Sequence, residues 1–146
     1  AAYDSLSDGL KATLSTLRAV HSANHIYGET GVYAATDQGA TLKGKDEYTE
    51  AVHPVAIIHP VSGRRALYVN PAFTLRFEGW TAAESQPLLA YLYAQAIKAE
   101  NVCRLQWREG TVAVWDNRST WHFAQNDYQG HRRLMHRITV SGCALN

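Results

Sequence analysis

A mostly β fold with flanking helices, a sandwich or jelly roll, is what this chain predicts, and three observations carry that expectation. Leucines at helical spacing open the chain, and a capping sequence near Thr81 starts a second helix. Between and after them lie short β-rich runs punctuated by Gly, Pro and Asn, three of them in the last third. Helices followed by several short strands bury their apolar faces in layers, and packed sheets with helical additions are the stable solution.

Leu6, Leu10, Leu14 and Leu17 recur at helical intervals, so residues 4 to 19 predict an amphipathic helix. Residues 22 to 50 mix Gly28, Gly31, Gly39 and Gly44 with polar residues and aromatic islands, which reads as a long loop or lid. Val55-Ala56-Ile57-Ile58 and Ala66-Leu67-Tyr68-Val69 flank Pro60-Val61-Ser62-Gly63, a hairpin pattern that Asn70-Pro71 ends. Thr81-Ala82-Ala83-Glu84 is a capping box opening a helix through about Lys98, although Pro87, best tolerated in a first turn, would move its start toward Ser85. Val102 to Trp107, Thr111 to Trp115 and Arg132 to Val140 read as strands, separated by Glu109-Gly110 and the polar stretch Asp116 to Gly130. No internal repeat, low-complexity tract or second domain is apparent.

The 146 residues suit one domain, and 46% apolar against 18% charged residues suits a packed core. A net charge of +1 gives no bulk field to attract nucleic acid or an anionic membrane, so an anion must be held by local arginines. Cys103 and Cys143 are too few for a disulfide framework and are not spaced as a zinc pair, which fits a reducing compartment. With no run of about 18 apolar residues and no signal peptide pattern, the expectation is a cytoplasmic protein. The chain opens Ala1-Ala2-Tyr3 without a methionine and moves at once into a helical pattern, which suggests that sequence precedes it.

The chemistry concentrates in Trp115-Asp116-Asn117-Arg118-Ser119-Thr120-Trp121-His122, continuing through Asp127-Tyr128 to Arg132-Arg133-Leu134-Met135-His136-Arg137. As a strand, the last piece places Arg133, Met135, Arg137 and Thr139 on one face, the two guanidiniums roughly 13 Å apart. Two buried cations on one face each need an anion, and a planar guanidinium grips a carboxylate or oxyacid bidentately. A solvated face carrying surface charges is the competing reading. His122 lies eleven residues before Arg133, and a histidine beside Trp121 and Phe123 is by itself more often structural than a metal ligand.

The run from Trp115 to Arg137 resembles the C-terminal signature of the taurine dioxygenase family: Trp-Asp-Asn-Arg, a histidine, Asp-Tyr, then Arg-x-Met-x-Arg. His53-Pro54-Val55, His59-Pro60 with Ser62-Gly63-Arg64, and Leu67-Tyr68-Val69-Asn70 resemble its central hairpin, with Phe73-Thr74 following, and Ala2-Tyr3 to His21 resembles a family helix. The likeness covers nearly the whole chain and is weakest between about residues 22 and 50.

That resemblance implies a double-stranded β-helix (jelly roll), incomplete on its N-terminal side, with residues 1–146 as the C-terminal part of one dioxygenase domain. It implies an Fe(II)- and 2-oxoglutarate-dependent dioxygenase that uses dioxygen to hydroxylate a small anionic organic substrate of sulfonate, sulfate ester or aryloxyalkanoate type. His122 would be the distal histidine of an iron triad, Arg133 the partner of the 2-oxoglutarate C5 carboxylate, and Arg137 the residue holding the acidic group of the substrate or assisting the cosubstrate. Phe73 and Tyr27 would be pocket aromatics. The family's His-x-Asp pair occurs nowhere in these residues, so they alone should not bind iron with a complete triad. A non-catalytic jelly-roll module binding an oxyanion through Arg133 and Arg137 is the alternative from another class. Neither reading calls for nucleic acid or membrane, and assembly into a homo-oligomer is compatible with both.

Other candidates read as structural. His21 and His25, four apart without the Glu of a His-Glu-x-x-His pair, read as a surface pair. His53 and His59, each before proline, read as strand ends or turn residues, and Trp107, Trp115 and Trp121 as barrel core.

Overall fold

The computed structural model describes residues 1–28, 50–125 and 127–143. Its elements are α1 (Asp8–Leu14), β1 (Arg18–His21), α2 (Asn24–Tyr27), β2 (Ala51–Pro54), β3 (Ala56–Ile58), β4 (Arg65–Leu67), β5 (Thr74–Phe77) and α3 (Ala82–Ala96), followed by a 3₁₀ turn at Ala99–Asn101.

The first helix is shorter than its leucine spacing predicts. Ser7 caps it by accepting from the Leu10 amide, and it stops at Ser15. There the hydroxyls of Ser15 and Thr16 donate back to the carbonyls of Ala12 and Thr13, a local competition that favours chain exit. Arg18–His21 then becomes a strand because it finds partners on both sides, β2 and β5, in an antiparallel sheet of order β2-β1-β5. Long-range pairing overrides the helical pattern in the stretch Leu17 to Ala19.

The hairpin forms as expected. Ile57 pairs with Ala66 in β3-β4, and the turn closes with His59 and Arg64 backbone bonding and Gly63 at φ +69°, a left-handed value that suits glycine. Val55 joins the two sheets: its amide donates to Leu17 and its carbonyl accepts from Tyr68.

Helix α3 starts at the capping box itself, with Thr81 and Glu84 bonded reciprocally, and not near Ser85. Pro87 sits inside it, where the missing amide loses one helical bond without breaking the helix. Its buried stripe is Ser85, Leu89 and Leu92, spaced to face β5. Leu6, Leu14, Ala19, Val55, Val69, Phe77, Leu89 and Leu92 form the core, with Phe77 and Leu14 fully buried.

The last third departs from expectation. Residues 102–107, 111–115 and 132–140 are not strands, because no neighbouring segment among the described residues offers them a ladder. Val112, Val114, Ile138 and Val140 are therefore exposed, and Trp107, Trp115 and Trp121, expected in the core, are 45%, 37% and 36% exposed. No helix among the described residues is long and apolar enough to cross a membrane. The segment expected as a loop or lid holds α2 at its start, and its residues 29–49 lie outside the described residues.

Candidate functional site

The Trp115–His122 segment is organised by Asp116. Its carboxylate accepts from the Arg118 amide, which folds a tight Asx turn, and from the Arg118 guanidinium, while the Ser119 amide closes the turn on the Asp116 carbonyl. Trp115 Nε1 donates to Asn117 Oδ1 at 2.9 Å. From the hairpin turn, His59 Nε2 reaches Asp116 Oδ2 at 2.9 Å, while His59 Nδ1 accepts the amides of Val61 and Ser62. With Nδ1 accepting, Nε2 carries the proton and donates, so His59 lines its turn, as expected, and also ties it to the motif. The Arg118 guanidinium, and then His59, hold the Asp116 carboxyl well below the usual carboxylate range.

Two residues later the Trp121 ring meets Tyr93 of α3 edge-on at 5.9 Å. His122 follows it, exposed, with its ring 5.0 Å from Trp115. Arg133 lies over the Tyr128 ring at 5.2 Å, a cation–π distance. It lines a cleft of about 450 Å³ with Leu105, Trp107, Phe123, Asp127 and Tyr128, a volume within the range of small-molecule sites. Arg137 is exposed. Since 132–140 is not a strand, the shared face expected for Arg133, Met135, Arg137 and Thr139 is not formed.

Tyr27 and Phe73, expected as pocket aromatics, do come together, with ring centroids 6.3 Å apart and both half-buried. Neither aromatic lines the cleft that Arg133 lines, nor do His122 and Arg137, so the expected site residues do not share one cleft. No group of three or more His, Cys, Asp or Glu among the described residues is arranged to hold a metal. His122 therefore belongs to no such group there, and the described residues do not fit a complete iron site.

A second cluster was not anticipated. His21, expected on the surface beside His25, is only 8% exposed, because the pairing of β1 with both neighbours turns it inward. Its ring stands 5.6 Å from both His53 and Tyr68, and burial, with His53 adding to it, pushes its pKa down to about 4. Its Nδ1 meets the Thr74 hydroxyl at 3.2 Å. No strand-type alternation in the local sequence signals it, since β1 buries Ala19, Val20 and His21 in succession, and the leucine spacing before it points to a helix.

Residues 1–139 match the family model described as Taurine catabolism dioxygenase TauD, TfdA family. The chain is 39% identical to an alkylsulfatase of Acinetobacter baylyi, over 97% of this chain and 45% of that protein. It is 36% identical to an alpha-ketoglutarate-dependent sulfate ester dioxygenase of Pseudomonas putida, over 97% of this chain and 48% of that protein. A crystal structure of a taurine dioxygenase from Burkholderia xenovorans superimposes with a TM-score of 0.60 at 33% identity, covering 81% of this chain and 35% of that one. AAD-2 in complex with Mn(II) and N-oxalylglycine superimposes with a TM-score of 0.57 at 26% identity, over 73% of this chain and 40% of that one. The chain thus spans about half the length of the curated relatives it matches. With the Trp115–Arg137 signature, the central hairpin and a match that runs almost from end to end, the chain belongs to the TauD/TfdA family of dioxygenases.

Proposed function

We propose that this chain is the C-terminal part of a jelly-roll Fe(II)- and 2-oxoglutarate-dependent dioxygenase acting on a small anionic organic substrate, with a linear alkyl sulfate ester as the preferred class. The observation that carries the substrate side is the meeting of Tyr27 and Phe73, far apart in sequence and ring against ring, which offers an apolar wall for a hydrocarbon chain. Support for the class comes from the Acinetobacter baylyi alkylsulfatase and the Pseudomonas putida sulfate ester dioxygenase, which the chain resembles.

In this reading His122 contributes one neutral imidazole ligand, and the remaining ligands come from outside the described residues. Arg133, with a planar fork suited to a carboxylate, anchors the C5 carboxylate of 2-oxoglutarate, and Arg137 holds the sulfate. Asp116, Arg118 and His59 hold the turn from which His122 follows. When bound, the iron centre supplies the oxidative chemistry; these side chains supply placement. The overall reaction couples decarboxylation of 2-oxoglutarate to succinate with hydroxylation of the carbon bearing the sulfate, whose collapse yields an aldehyde and inorganic sulfate. The extended stretches 102–107, 111–115 and 132–140 then serve as strands that pair with the remainder of the barrel. The cytoplasm, where 2-oxoglutarate is available, is the proposed location.

The test is turnover by the full-length protein with Fe(II), 2-oxoglutarate, dioxygen and hexyl sulfate. Stoichiometric succinate, hexanal and sulfate are expected; succinate release unaffected by any alkyl sulfate, sulfonate or aryloxyalkanoate contradicts the reading. An oxyanion-binding module without catalysis would bind sulfate through Arg133 and Arg137 and release no succinate.

A further inference from the structure

We propose that His21 is a positioning residue for Phe73: a buried imidazole that, through the Thr74 hydroxyl, holds the turn presenting Phe73 to Tyr27. The inference rests on the reading of Phe73 as a substrate-packing aromatic.

The turn is built almost wholly from polar contacts that converge on the end of β1. Asn70 Oδ1 accepts the amides of Ala72 and Phe73 at 3.0 and 2.8 Å. The Thr74 hydroxyl accepts the Asn70 amide at 2.9 Å, and the Thr74 amide donates back to the Asn70 carbonyl at 3.1 Å. The carbonyl of Phe73 accepts from the Ser22 amide at 2.9 Å. Both backbone polar groups of Phe73 are thus committed, one within the turn and one to the residue after His21. Ser22 also accepts the Asn24 amide on its hydroxyl at 3.1 Å, at the start of α2, the helix that carries Tyr27. His21-Ser22 therefore reaches both aromatics: His21 through Thr74, Ser22 through Phe73 and α2.

Stability alone does not explain an imidazole at this place. His21 Nε2 is buried with no hydrogen-bond partner among the described residues, and its ring packs against His53 and Tyr68. An unpaired buried polar atom is destabilising, a loss that a leucine in the same space would avoid. What leucine cannot do is reach Thr74, itself 8% exposed and cut off from competing water.

The test uses the full-length protein and hexyl sulfate as the probe. His21→Leu should raise KM for hexyl sulfate roughly tenfold, as displacement of a binding wall does, while kcat and KM for 2-oxoglutarate stay within about twofold. Calorimetric Kd for hexyl sulfate, with Mn(II) and N-oxalylglycine replacing iron and cosubstrate, should rise in parallel without turnover. His21→Asn, whose amide can replace Nδ1, should restore most of the affinity. Thr74→Val, which removes the hydroxyl at nearly constant volume, supplies the same test should His21→Leu fold poorly, and should match it. A lowered melting temperature with KM and Kd unchanged, or an equal rise in KM for 2-oxoglutarate, overturns the proposal. Phe73→Ala separates the two levels. If it leaves hexyl sulfate binding intact, the reading of Phe73 fails and His21 loses its role with it; if it weakens binding while His21→Leu and Thr74→Val do not, the positioning role alone fails.

Discussion

A neutral imidazole buried at the end of a strand makes this protein sensitive to acid in a defined way. Unfolded, His21 titrates near 6.5; folded, it titrates at about 4, because burial and then the neighbouring His53 disfavour its charge. Above pH 6.5 both states are neutral and the stability is fully present; as pH falls from 6.5 toward 4 the unfolded chain takes up a proton that the folded one refuses. Stability should decline across that window by on the order of 3 kcal/mol. His53, shifted in the same direction by burial and then Arg18, adds to the slope, while Tyr68, the other ring against His21, stays neutral throughout. Urea unfolding at several pH values checks this, and a His21→Leu profile as steep as the unmodified one contradicts it. If Arg133 anchors 2-oxoglutarate as proposed, Arg133→Ala in the full-length protein should weaken it by roughly 3 kcal/mol, the scale for leaving a desolvated carboxylate unpaired. If titration shows only the primary substrate weakened, Arg133 and Arg137 have exchanged roles.

At the scale of elements, what could be read from the chain was what is decided locally. The Thr81–Glu84 capping box acts within one turn, and the His59–Arg64 turn needs only Gly63 and its flanking apolar runs, so both match the structure. Residues 18–21 read as helix because Leu14 and Leu17 continue a helical spacing, whereas the strand exists only through β2 and β5, thirty residues or more away in each case. His21 went unnoticed for the same reason: its burial is a product of that pairing. Of the site, Tyr27 and Phe73 are named by the family resemblance, each by itself and not as a pair, while the gathering of His122 with Arg133 and Arg137 depends on a strand at 132–140 that lacks a ladder among the described residues. The local devices should also be energetically separable. Thr81→Ala should destabilise by about 1 kcal/mol through loss of the cap. Leu89→Ala, fully inside the core, should cost 2–5 kcal/mol, roughly. Denaturant midpoints would show it, and equal effects of the two contradict the assignment of α3's buried face.

Across the whole molecule, order is concentrated in one part. The core joins α1, both sheets and α3, whereas residues 102–143 expose Val112, Val114, Phe123, Ile138 and Val140 and contribute no ladder among the described residues. In the 146-residue chain, amides of Ala19, Val20 and Phe77 should be protected from hydrogen exchange, and those of 111–115 and 132–140 should exchange freely; protection of the latter would mean a ladder the structure lacks. In the proposed reading these apolar stretches are covered by the rest of a jelly roll, where the iron site is also completed; the chain itself spans about half the length of its relatives. In that reading His122 ligates the iron. Full-length protein mixed anaerobically with Fe(II) and 2-oxoglutarate should develop a weak visible charge-transfer band, and His122→Ala should abolish it. A band that survives the substitution, or never forms in the unmodified protein, contradicts the account.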